Sequence, residues 1–207
     1  MIYFTSDLHF HHNNILKYTT RPYASLDEMH EDIIKQWNAV VTPEDTTYHL
    51  GDFTFATPSK AGLVKDILYR LNGNIVLLQG NHDSTDLWQR IIAMDEVTFG
   101  DYYENPSARV RFLKSPYLEM SYKGDATKDK TKLILCHYPI ASWNHMNHGS
   151  VHLHGHMHNS YSGEGRILDV GFDSGWEQYQ KLSPFSIEDV LKVMDNKPAL
   201  LRHGANR

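Results

Sequence analysis

Residues 74–83 read NIVLLQGNHD. Ile75, Val76, Leu77 and Leu78 make a short, near-continuous apolar run, the pattern of a strand buried on both faces. Helical spacing stands on either side. Before it, residues 59–71 place Leu63, Ile67, Leu68 and Leu71 on one stripe, and Gly73 follows as a stop signal. After it, STDLWQRIIAMD (84–95) reads as a helix capped by Ser84 or Thr85. A doubly buried strand between two amphipathic helices points to α/β layers.

Working outward, MIYFTS (1–6), TTYHL (46–50), KLILC (132–136), VHLH (151–154) and RILDVG (166–171) also read as strands, rich in β-branched and apolar residues and bounded by turn formers. Residues 25–41 carry Leu26, Met29, Ile33 and Trp37 at helical spacing behind a Ser25 cap. A last helix, 186–194, starts at Ser186 with Asp189 three residues on, a variant of the capping box. The stretch 97–131 departs from this alternation. VTFGDYYEN and ARVRFLK read as strands, and SYKGDATKDKTK (121–132) as a polar hairpin or loop. No repeat or linker breaks the chain, so residues 1–207 are expected to form one domain.

Composition narrows the partners. The chain is 41% hydrophobic and 22% charged, ordinary for a globular protein. Twenty Lys+Arg against 25 Asp+Glu leave a net charge of −5, so no global basic field advertises long nucleic acids. The single Cys136 fits a reducing compartment. The N-terminus has neither the basic start nor the long apolar run of a signal peptide, and no stretch approaches the 18 or so apolar residues of a membrane span. The expectation is a soluble cytoplasmic protein with no membrane partner.

Nearly every strand runs into residues of metal-binding type. MIYFTS leads to Asp7-Leu8-His9, TTYHL to Gly51-Asp52, NIVLLQ to Gly80-Asn81-His82-Asp83, KLILC to His137, and VHLH to Gly155-His156-Met157-His158. In open α/β folds ligands bind outside the carboxyl ends of strands, so the five clusters are expected at one edge. The alternation of His152, His154, His156 and His158 has a bland reading, a polar strand face, and a sharper one, a metal site.

The ordered series D-x-H, G-D, G-N-H-D, H and G-H-x-H, over residues 7 to 158, resembles the calcineurin-like metallophosphoesterases, and SDLHFHHNNI, YHLGDF, CHYPIASWN and LHGHMH resemble its small bacterial and phage members. The resemblance implies a four-layer αββα sandwich of two mixed β-sheets flanked by helices. It implies two divalent metal ions, manganese favoured and iron, nickel or zinc also accepted. Asp7, His9 and His158 would hold the first and Asn81, His137 and His156 the second, with Asp52 bridging. The implied reaction is hydrolysis of a phosphodiester or phosphomonoester, of nucleotide type, by in-line attack of a metal-bridging hydroxide. His82 would assist the leaving group, oriented by Asp83. The chemistry suits these residue types: carboxylate bridges cations, imidazole takes Mn, Fe, Ni and Zn, and no thiolate takes part. Two divalent ions bring about +4 against about −2 from Asp7 and Asp52, a local attraction for phosphate despite the acidic chain.

Around this set, His12, Arg21 and Asn144 lie where donors for a substrate phosphate are wanted, although surface residues of these types are common. His154 stands between a supporting bond to a metal ligand and an ordinary hydrogen bond; for His152 the ordinary reading is preferred. Asp173 reads as structural or as support for a ligand. Tyr102, Tyr103, Tyr117 and Tyr122 suit either base stacking or packing. Substrates range from small phosphate esters and nucleotides to nucleic-acid ends. The alternative from another class is an inactive metal-binding scaffold on the same fold.

Overall fold

The computed structural model describes residues 1–124 and 130–200. Among the described residues ten strands form two mixed sheets. They are β1 (Ile2–Thr5), β2 (Thr46–His49), β3 (Asn74–Leu78), β4 (Phe99–Asp101), β5 (Val110–Leu113), β6 (Tyr117–Tyr122), β7 (Thr131–Cys136), β8 (Val151–His154), β9 (Ile167–Asp169) and β10 (Phe185–Ser186). The larger sheet runs β10-β1-β2-β3-β5-β4 and the smaller β6-β7-β8-β9. Within them only β10 on β1 and β6 on β7 pair antiparallel. Six α-helices accompany them among the described residues: α1 (Ile15–Tyr18), α2 (Leu26–Val40), α3 (Ala61–Arg70), α4 (Thr85–Met94), α5 (Phe172–Tyr179) and α6 (Ile187–Met194).

Strand β3 shows why the layers form. Ile75 and Leu77 point to a core shared with Met29, Ile33 and Trp37 of α2, Val64 and Leu68 of α3, and Leu87 and Ile91 of α4. Val76 and Leu78 point the other way, to Leu133 and Leu135 of β7, Leu153 of β8 and Val190 of α6. The run NIVLLQ is therefore covered on both faces, as its composition requires; each such side chain contributes about 1.5–3 kcal/mol by burial. The far face of the smaller sheet presents Ile134 and Ile167, against which Trp143, Ile140 and Met146 pack. That outer layer is a loop with a 3₁₀ turn, thinner than the helical layer expected from the resemblance.

The expected caps are present. Ser25 accepts from the Glu28 amide, Ser84 from that of Leu87, and Ser186 and Asp189 close a reciprocal capping box. In α3, Leu63 is 51% exposed and Val64 takes its place in the core, a shift of one position in the stripe. The 97–131 region is strand-poor: VTFGDYYEN supplies only β4, and ARVRFLK supplies β5. Tyr117–Tyr122 forms an edge strand paired antiparallel with β7. Of the polar segment 121–132, Ser121 and Tyr122 end β6, Thr131 and Lys132 begin β7, and residues 125–129 lie outside the described part of the chain.

Parallel strands send the ends of β1, β2, β3, β7 and β8 to one edge. There the ladder continues past the strands: the Asp7 amide donates to Gly51 O at 3.0 Å, that of His9 to Asp52 O at 3.1 Å, and that of Gly155 to His137 O at 3.0 Å. A bridge from Ser6 to Gly171 ties the two sheets together at the same place.

Candidate metal centre

The five strand ends do meet. Asp7, His9 and His158 bring ligand atoms within 4.8 Å of one another, and Asp52, His137 and His156 form a second such group. Asp52 Oδ2 lies 3.7 Å from His9 Nε2 on one side and 3.6 Å from His137 Nε2 on the other, so this one carboxylate joins the groups. Asn81 Oδ1 belongs to the second, 3.0 Å from His137 Nε2.

These side chains are held in a costly backbone. Asp7, His9, Asp52, His156 and His158 all adopt left-handed conformations, with φ of 56°, 54°, 56°, 68° and 45°. Each such residue costs on the order of 1–3 kcal/mol relative to an ordinary conformation, and strain of this kind concentrates at functional sites. The glycines of the motifs serve close approach. A Cβ on Gly80 would collide with the Asp52 carboxylate, and one on Gly155 with Ser6 and Asp7 Oδ2.

The donor set fits a cation. Asp7 Oδ1 and both ring nitrogens of His9 are buried without a hydrogen-bond partner, which is expensive unless something positive completes them. His137 Nδ1 lies 2.9 Å from Leu50 O, so the proton sits there and Nε2 turns a lone pair toward the Asn81 oxygen. His158 Nδ1 lies 2.6 Å from Asp173 Oδ2, which likewise frees its Nε2. A histidine whose second nitrogen donates to carboxylate or carbonyl is the usual form of a metal-ligating imidazole. Burial pushes the His9, His137 and His156 rings toward the neutral form, the form that ligates. Burial also pushes the Asp7 carboxyl up, against the pull of His158, with Asp52 and Asp169 adding to the rise; a divalent ion would reverse that penalty.

The remaining expectations divide. His82 stands at the site, its side chain 39% exposed and Nε2 3.9 Å from Asp52 Oδ2, while its backbone amide donates to Asp52 Oδ1 at 2.9 Å. Asp83 does not orient the His82 ring. Its buried carboxylate accepts the amides of Asp52 at 2.7 Å, Gly80 at 2.9 Å and Phe53 at 3.1 Å, clasping the G-D turn to the G-N-H-D turn. Burial pushes its carboxyl pKa up to about 7, with Asp52 adding.

Arg21 requires a correction as well. Its side chain is fully buried, forks onto Asp173 with two bonds of 2.8 Å, and donates to Asp7 O and Leu8 O. It braces the first group from behind, where no substrate reaches. Burial alone would raise the Asp173 carboxyl, but Arg21 and then His158 hold it well below the usual range. Asn144 is exposed and donates to the Glu119 carboxylate, so it serves the smaller sheet's edge. His12 lines the groove beside the first group.

His154 bonds Gly155 O at 2.9 Å, and His152 bonds Ile134 O and the Ile140 amide; the ordinary reading describes both. Two residues outside the expected set also matter. Asp169, at the end of β9, receives the amides of Gly171 and Asn159 and so shapes the loop bearing His156 and His158. The strand-end rule that located the other clusters applies equally to its LDVG. Phe55 packs on His12 and His82, with ring centroids 4.3 and 4.9 Å apart. No sequence signal marks it: strand alternation would put Phe53 and Phe55 on one face, yet Phe53 is buried and Phe55 is exposed.

No family model matches the chain. It is similar to the uncharacterized protein MJ1445 of Methanocaldococcus jannaschii, 42% identical over 98 residues that make up 47% of this chain and 55% of that one. The chain thus spans about half the length of that relative. Its likeness to the gene 66 protein of Mycobacterium phage L5 is 27% over 193 residues, covering 83% of this chain and 86% of the phage protein. Among solved structures it resembles a protein of unknown function, AQ665, from Aquifex aeolicus. That match has a TM-score of 0.62 and 22% identity, covers 93% of this chain and 98% of that one, and speaks to fold alone.

Proposed function

We propose that this chain is a metal-dependent phosphoesterase of the calcineurin-like kind, hydrolysing a phosphodiester or phosphomonoester. The observation that carries the reading is the sharing of Asp52 Oδ2 between two donor groups, 3.7 Å from His9 and 3.6 Å from His137, beside a solvent-facing His82. Asp7, His9, His158 and Asp52 would hold one divalent ion, and Asp52, Asn81, His137 and His156 the other, manganese favoured over iron, nickel or zinc. When bound, such a pair polarises a phosphoryl group and brings the pKa of water toward neutrality. The chain's own part is positional. His82 stands at the mouth of the site and delivers a proton to the departing oxygen; Asp83 fixes the turn that carries it. Two cations beside two carboxylates make a cationic spot that draws phosphate into an acidic protein. The absence of a cap over the site among the described residues favours diesters over small buried monoesters.

The test is hydrolysis of bis-p-nitrophenyl phosphate and p-nitrophenyl phosphate by metal-stripped protein, with Mn²⁺, Fe²⁺, Ni²⁺ or Zn²⁺ added in turn. Turnover should depend on metal and fall by several orders of magnitude in Asn81→Ala. His82→Gln should keep its metals and lose a factor on the order of 10²–10⁴. Two bound metals with no turnover of either ester would favour the inactive scaffold.

A further inference from the structure

From His9, His82 and His158 a groove of about 750 Å³ runs outward past His12 and Phe55 to Tyr18 and Lys60. Its size lies within the range of about 300–1,000 Å³ typical of small-molecule sites, far more than one phosphate group needs. Three of its features point to an occupant. First, no carboxylate lines it among the described residues, although the chain is acidic overall, and Lys60 stands exposed at its rim. Second, its wall is aromatic: the Phe55 ring lies nearly parallel to His12, 21° between planes, and Tyr18 sits beyond with its centroid 6.1 Å from that of His12. Third, these rings are open to solvent, Phe55 at 45% and Tyr18 at 72%, while the neighbouring Phe53 is wholly buried. Apolar rings at the mouth of a polar site, when not needed for the core, offer flat surface to a ligand.

We infer that this groove seats the base of a nucleoside phosphate, stacked on the Phe55–Tyr18 wall, with the reacting phosphate at the His9–His82 end and Lys60 toward a further anionic group. This rests on the phosphoesterase reading for the direction of the ligand and narrows its substrate to nucleotides. His82 opens into the groove, so the group that leaves is the one the groove holds. The Tyr-rich stretch that suits stacking in the sequence plays no part in this wall: Tyr102 and Tyr103 pack on each other, and Tyr117 bonds Glu119 on β6. Base stacking on a protein ring tolerates every base because each has a π-face, so the groove selects for a base and little among bases.

The test is calorimetric titration of metal-loaded protein with adenosine 5′-phosphate and, separately, ribose 5-phosphate, which carries the same phosphate without the base. The nucleotide should bind about tenfold tighter or more. Tyr18→Ala should narrow that gap while leaving ribose 5-phosphate affinity in place, and its exposure makes the variant safe for folding; Phe55→Ala, which also unpacks His12 and His82, should narrow the gap as well. Equal affinities, no binding of either ligand, or a gap that survives both substitutions would overturn the inference. Binding is read apart from turnover. Hydrolysis of bis-p-nitrophenyl phosphate without base discrimination removes only the groove, whereas discrimination without turnover of any ester keeps the groove and removes the phosphoesterase.

Discussion

His158 and His137 each turn a ring Nε2 into the site, yet they are held in opposite ways. Behind His158 stands charge: Nδ1 at 2.6 Å from Asp173, which is itself forked by the buried Arg21. Behind His137 stands backbone, the Leu50 carbonyl at 2.9 Å, supplied by the end of the β2 segment. The first donor group is thus pinned by an ion-pair network reaching α5, and the second by the sheet itself. The groove opens on the first group. On the side where the groove opens the ligand-type histidine is held by replaceable side chains; on the other it is held by main chain that no side-chain replacement removes.

This contrast can be broken from either side. The largest effect on metal binding is expected at Gly51, where φ is +105° and an added Cβ would lie 2.6 Å from His137 Nδ1 and 2.7 Å from Gly80 Cα. Gly51→Ala should cost about 3 kcal/mol or more, from left-handed strain and overpacking together, and should abolish binding at the second group. Asp173→Asn attacks the other side. It should weaken the first ion by about 10–100-fold while leaving the second, and should destabilise the fold by about 3–5 kcal/mol because Arg21 loses its buried partner. Two-site metal titration with thermal melts of both variants checks the pair. Equal loss of both ions in Asp173→Asn would erase the distinction between the groups.

A smaller effect sharpens it. His30 accepts the His11 amide behind the first group, and His152 holds Ile140 and Ile134 on the side of the second. Burial lowers both rings to about 4. Between about pH 6.5 and 4 the unfolded chain binds protons at these histidines and the folded chain does not, so their contribution to stability is present above 6.5 and lost as pH falls. Buried Asp83, raised to about 7, acts the other way: its folded form holds a proton that the unfolded chain has given up, so its contribution fades as pH rises through 7. The clean readout is therefore a difference. With chelator present, His30→Gln and His152→Gln should lose less stability than the wild type between pH 6.5 and 4, in melts run side by side. Parallel pH curves would remove the buried neutral histidines from the account.

Much of this was legible in the sequence, for a physical reason. Strand burial writes itself as apolar runs, and parallel strands deliver their ends to one edge, so the clusters at those ends could be gathered without coordinates; the resemblance then singled out Asp7, His9, Asp52, Asn81, His137, His156 and His158 within them. Caps at Ser25, Ser84 and Ser186 were visible because their hydrogen bonds are local. What was missed depended on contacts across long stretches of chain. Arg21 looked like a phosphate donor until Asp173, 152 residues away, claimed it. Asp83 sits beside His82 in sequence, yet its oxygens reach amides 30 residues back. α5 carries Gly175 and too short a stripe to announce itself, and β10 has only two residues.

The central claim is a pair of cations joined by Asp52. The most direct measurement is anomalous diffraction from crystals grown with Mn²⁺, collected above and below the manganese edge. The account predicts two peaks per chain, roughly 3.5–4 Å apart, with Asp52 between them. A single peak, or peaks confined to other histidines such as His145 and His148, would contradict it.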